Sequence, residues 1–161
     1  MPYSASLIAA VFVAKSIKEE KYLTQMKLQK MVYFAHGYHL AKYAQPLIEE
    51  PIQAWKFGPV IPQIYYDYKL YGSDLIMNTN YLSIPYELEE KEFESLSASA
   101  KDAIEYTWAV TKNISAAKLS SWTHEPASPW AQVYNENDRE TVIKDDIIKQ
   151  YFAGILAPNA A

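Results

Sequence analysis

The sequence predicts a mainly α fold, one compact multi-helix domain over residues 1–161 with one or two short β or extended segments. Its 161 residues, half of them hydrophobic, are enough for one sizeable core. Most apolar residues recur at three- and four-residue spacing, bracketed by residues that start and stop helices. Period-two alternation is confined to a short stretch around Ile52–Phe57 and a β-like "TVIK" at Thr141–Lys144.

Residues 4–20 form the first expected helix, with Leu7, Val11 and Ala14 on one stripe and Ile8 and Phe12 widening it. A second starts at Thr24, a good N-cap, with Leu23 and Leu28 at the spacing of a hydrophobic staple. Leu28, Met31, Val32 and Ala35 make its core stripe, extended by Tyr38 or His39, and Lys27, Gln29 and Lys30 are expected to face water. Pro46 stops it after Tyr43. Gly37 weakens its interior by ~1 kcal/mol against alanine, which points to a neighbouring helix approaching closely there.

Ile52, Ala54 and Lys56 then alternate with Gln53, Trp55 and Phe57, and Gly58-Pro59 breaks the segment. Pro62 opens a short helix that Gly72 ends, with Ile64, Tyr68 and Tyr71 inward and Tyr65 or Tyr66 outward. Residues 73–96 are the least periodic, marked by turns at Asn78, Asn80 and Pro85 and by an acidic run, Glu87–Glu94, read as solvated loop or frayed helix. A long helix follows from Ser97 or Ser99 to Lys112, with Ala103, Tyr106 or Thr107, and Val110 inside. Ile114, Ser115 and Leu119 repeat the staple and cap for a helix ending near His124. Ser128-Pro129 opens another at Trp130. The last runs from Asp145, with Ile147, Ile148, Tyr151, Phe152 and Ile155 as its apolar face. No internal repeat, low-complexity linker or domain boundary interrupts this order.

A formal net charge of −4 gives no basic surplus for nucleic acid. The absence of cysteine removes disulfides, thiolate metal sites and thiol nucleophiles, and suits a cytoplasmic location. The apolar run Leu7–Ala14 is too short to span a bilayer and has the wrong flanking charges for a secretory signal. No Gly-rich phosphate loop, GxSxG elbow or calcium loop is present. His36 and His39, three apart on one helix, lie near enough to share a metal, with His124 as the third histidine, so a metal-dependent hydrolase is an alternative of a different class. Without an HExxH pattern, packing and hydrogen bonding is the plainer reading for both. Ser120 and His124 stand four apart, and the bland reading is that Thr123 and His124 tie a helix end to the next loop. No cofactor, metal or catalytic residue is expected.

Fourteen tyrosines and four tryptophans are the composition excess that needs explaining. Such side chains join large apolar area to a polar tip and concentrate at protein interfaces as well as in cores. About two-thirds are expected to fill the core. The remainder would give an adhesive patch for another polypeptide, led by Trp55, Phe57, Val60, Tyr65 and Tyr66, with His124, Trp130 and Tyr134 behind them, and Lys27, Lys30 and Lys56 as rim charges.

In order along the chain stand Met-Lys-Leu-Gln-Lys at Met26–Lys30, Tyr-Phe-Ala at Tyr33–Ala35, Trp-Lys-Phe-Gly-Pro-Val at Trp55–Val60, Leu-Ser-Ser-Trp-Thr-His at Leu119–His124, and Pro129-Trp130. This combination resembles the Panacea-domain family of SocA-like antitoxins, which has phage-associated relatives, and the resemblance covers nearly the whole chain. It implies an antitoxin that binds and neutralises a cognate protein toxin, or an adaptor that delivers the toxin to a protease. Some relatives carry an added DNA-binding region, for which this chain has no spare length. No direct nucleic-acid or membrane partner is expected, and exposed aromatics would permit a homodimer. Two readings of Trp55–Val60 stand side by side: a surface that touches the toxin, or a buried motif that maintains the platform.

Overall fold

The computed structural model of the chain describes residues 1–82 and 90–156. Helix α2 (Gln25–Tyr43) is central. Around it pack α1 (Ala5–Lys18), α3 (Pro62–Tyr68), α5 (Ala98–Thr111), α6 (Ala116–Thr123) and α8 (Asp145–Leu156). A one-turn α4 (Glu90–Glu94) and the short α7 (Pro129–Val133) complete the described helices, and a 3-10 turn, Lys69–Tyr71, extends α3. The expected turn at Pro85 and the first part of the acidic run lie outside the described residues. No described helix is long and apolar enough to cross a membrane.

The helix starts follow the cap chemistry of the sequence. Ser4, Thr24, Ser97, Ser115 and Ser128 each accept a hydrogen bond from a backbone N–H of the first turn. Leu23 and Leu28, both fully buried, close the staple on α2. A three-stranded antiparallel sheet in the order β2-β1-β3 uses β1 (Ile52–Trp55), β2 (Gly58–Val60) and β3 (Val142–Ile143). Trp55 pairs with Gly58, so Lys56 and Phe57 form the tip of the β1–β2 hairpin.

The core is continuous along α2. Every residue from Leu28 to Leu40 is buried, because helices and the β1–β2 hairpin enclose it. This corrects the expectation that Gln29 and Lys30 face water: they are 4% and 3% exposed. Lys27 is half-buried, and its ammonium donates to the Lys112 carbonyl at the end of α5 (2.8 Å). An aromatic cluster fills the space between α2, α6 and α8, with Phe152 edge-on to Tyr33, Phe34 and Trp122 at 5.4–5.7 Å between ring centroids. Gly37 is where this ring enters α2, as its weak helix propensity suggested: a Cβ there would fall on Phe152.

Two helix faces differ from expectation. On α5 the inward phase runs Ala100, Ala103, Ile104, Thr107, Trp108, Thr111, and Val110 is 41% exposed. Burying the large Trp108 ring sets the phase and turns Val110 outward. Tyr106, also partly exposed, stacks on Tyr38 at 4.4 Å. On α8, Ile148 and Phe152 are buried while Ile155, near the end of the helix, is exposed.

Two glycines provide opposite tests. Gly37→Ala gains helix propensity but overpacks the Phe152 ring, so thermal or urea unfolding should show a loss of ~1–3 kcal/mol. Gly154→Ala, on α8 with open space around it, should gain ~0.5–1 kcal/mol in the same assay.

Candidate protein-binding surface

The polar side chains of buried α2 each need a partner, and they find it in the segments that surround the helix. Gln29 pairs twice with the backbone of Ile61, donating to its carbonyl (3.2 Å) and accepting from its N–H (2.9 Å). Lys30 donates to the carbonyls of Phe57 (3.3 Å) and Pro59 (3.1 Å). Burial pulls the Lys30 amine down to about 8. A cation placed so deep is held by carbonyl dipoles, and no carboxylate among the described residues is hydrogen-bonded to it.

The same hairpin is held from its other side. Trp130 donates its indole N–H to the Trp55 carbonyl (2.6 Å). His124 lies against Trp130 at 4.3 Å, and Tyr134 stacks on Trp130 at 4.5 Å and 18°. Between these supports the chain turns at Gly58, with φ of +116°, a conformation that suits glycine. A Cβ there would also press on the Lys30 ammonium, Thr123 and His124. Lys30, Gly58, Thr123, His124 and Trp130, far apart in sequence, therefore meet at one point.

Beside the hairpin lies an open groove of about 1040 Å³. Trp55, Phe57, Val60 and Tyr65 line it, together with Met26 from the start of α2. The expected residues thus divide. Trp55, Phe57, Val60 and Tyr65 face the groove; His124, Trp130 and Tyr134 brace the hairpin; Tyr66 lies next to Tyr65 (5.6 Å, edge-on) and is 58% exposed. Lys30 is no rim charge but part of the hairpin's support, while Lys56 is exposed at its tip.

The sequence reading missed Met26, Lys69 and Arg139. Arg139, the chain's sole arginine, sits 4.5 Å over the Trp55 ring, which itself is edge-on to Tyr65. Its isolation in the composition was the available signal. Met26 stands in the recognisable Met-Lys-Leu-Gln-Lys stretch, and Lys69 gave no signal beyond its place after the tyrosine-rich helix.

The histidines do not converge. His36 donates from Nε2 to Asp145 (2.8 Å) and accepts at Nδ1 from the backbone N–H groups of Leu47 and Ile48. His39 donates from Nδ1 to the Gln45 carbonyl (2.6 Å), and its Nε2 accepts from the Ser99 hydroxyl (2.9 Å). Burial lowers the His39 pKa. His124 turns its Nδ1 to the Ser120 carbonyl (2.6 Å) rather than to the Ser120 hydroxyl. No group of three or more metal-ligating side chains occurs among the described residues.

Burial of Lys30 has a measurable pH signature. The folded amine titrates near 8 and an unfolded lysine near 10.5, so between those values the unfolded chain binds more protons. The cost of the buried cation is fully present below pH 8 and disappears as pH rises. Urea unfolding of wild type relative to Lys30→Met should therefore shift in favour of wild type by ~3 kcal/mol across that window; a flat difference would show a hydrated amine.

The family model described as Antitoxin SocA-like, Panacea domain matches residues 28–131. Antitoxin SocA of Caulobacter vibrioides (strain NA1000 / CB15N) is 28% identical over 132 residues, which cover 81% of this chain and 70% of that protein. No solved structure matches the chain. The matched span contains Lys30, the whole hairpin, α6 and Trp130, whereas Met26, Tyr134 and Arg139 fall outside it. The match spans well over half of the chain, and the chain belongs to the SocA-like antitoxins with a Panacea domain.

Proposed function

We propose that the chain neutralises a cognate protein toxin by stoichiometric capture, using the groove and the hairpin tip as its contact surface. The observation that carries this reading is a division of labour within Trp55–Val60. Its backbone is gripped by Lys30 and Trp130, while the Phe57 side chain is 70% exposed. The motif then maintains the platform through its main chain and touches the partner through its side chains. Met26 (47% exposed) and Tyr66 (58% exposed) extend the apolar surface on either side. Exposed rings held on a fixed backbone suit a binding surface, since little side-chain or loop entropy is lost on association. A standard interface of ~800 Å² per partner would take in the groove and its rim.

The name of the Caulobacter relative supports the antitoxin role, and the separated histidines favour it over a hydrolase built on His36, His39 and His124.

The test is co-expression with the product of the adjacent reading frame. Wild type should restore growth and co-purify with that product. Phe57→Ala combined with Tyr66→Ala should weaken the complex ~100-fold and abolish rescue, with an unchanged unfolding midpoint because both side chains are exposed. Rescue that survives the double variant would remove the groove from the contact. Pulse-chase of the toxin separates capture from delivery: an unchanged toxin lifetime supports capture, and a shortened one supports a protease adaptor.

A further inference from the structure

The groove carries a charge pattern at odds with the chain as a whole. The chain has a formal net charge of −4. Yet among the described residues the groove is lined by Lys30, Lys56, Lys69 and Arg139 and by no aspartate or glutamate. Two of these cations lie against groove rings: Arg139 is 4.5 Å over Trp55, and the Lys56 ammonium is 5.5 Å from the Phe57 ring. Cations resting on aromatic faces keep their apolar stems on the rings and their charge toward whatever enters. Lys56 and Lys69 are both exposed.

We infer that the groove takes an acidic amphipathic segment of the partner polypeptide, with apolar side chains seated among Met26, Val60, Phe57 and Tyr65 and carboxylates meeting Lys56, Lys69 and Arg139. This inference rests on the toxin-capture reading and specifies the chemistry of the toxin surface that is captured. The aliphatic part of the lining, with Ala116 and Ala117 beside Met26 and Val60, gives side chains of a peptide a place that a phosphate ligand would leave unfilled. About 1040 Å³ is at the upper end of small-molecule pockets, which run ~300–1,000 Å³, and suits several side chains of one helix laid in a groove. The cations also act at a distance. A basic cleft on an acidic protein draws an acidic surface into one orientation and turns away basic partners.

The experiment measures the dissociation constant of full-length protein for the product of the adjacent reading frame, by calorimetry, at about 50 mM and about 300 mM salt. Wild-type affinity should fall about tenfold between these conditions. Lys56→Glu with Lys69→Glu should weaken binding at low salt by about thirtyfold or more and flatten the salt dependence. Lys144→Glu with Lys149→Glu makes the same change in net charge on exposed residues that do not line the groove, and should shift affinity by less than about threefold. The inference is overturned if the groove pair weakens binding no more than this control, or tightens it. That result leaves toxin capture standing as long as the Phe57→Ala, Tyr66→Ala variant still loses the complex. Absence of any complex with wild type removes both readings together.

Discussion

The structure depends on one constraint: α2 is enclosed on every side from Leu28 to Leu40, and its polar side chains must still be satisfied. A buried polar group left unpaired costs about as much as several good contacts gain. The segments around α2 are therefore positioned by its side chains as much as by apolar packing. Gln29 fixes Ile61, Lys30 fixes the β1–β2 hairpin, His36 fixes Leu47, Ile48 and the start of α8, and His39 fixes Gln45 and Ser99. The two imidazoles do this in opposite tautomers, because one faces a carboxylate with Nε2 and the other a carbonyl with Nδ1.

From this constraint the shape of the proposed contact surface follows. A short two-stranded hairpin is marginal by itself. Here its tip is clamped between a lysine beneath and an indole beside it, with Gly58 permitting the approach. The result is a loop whose conformation is set by atoms it does not present to solvent. Its presented side chains, Phe57 above all, are then free of structural duty.

Much of the architecture could be read directly from residues. Thr24, Ser115 and Ser128 announced helix starts, Pro62 and Gly72 bracketed α3 together with its 3-10 extension, and Ile52–Trp55 alternated as a strand does. These signals are local, so the chain carries them without reference to the fold. Gln29 and Lys30 were misjudged because periodicity assumes that a helix has a wet side, and α2 has none. Their partners are main-chain carbonyls and an N–H, which every residue possesses, so no side-chain identity marks the pairing. On α5 Ala103 and Thr107 lie inward as their spacing implies, and Val110 does not for a related reason: Trp108 dominates the packing of the helix, but a single ring does not create a repeat. The groove was legible only in part. Trp55, Phe57, Val60 and Tyr65 were visible as a ring-rich stretch, whereas Met26 and Arg139 reach it from distant segments.

The grip on the hairpin through main-chain atoms has a consequence for how such a protein changes over generations. Lys56 and Phe57 can be exchanged for other residues without disturbing the hydrogen bonds that shape the tip, since Lys30 reads carbonyls and is indifferent to the side chains attached to them. On the capture reading proposed above, specificity and foldability are thereby uncoupled at these positions. A lineage meeting an altered adversary could rewrite its contact chemistry one codon at a time, without passing through unfolded intermediates.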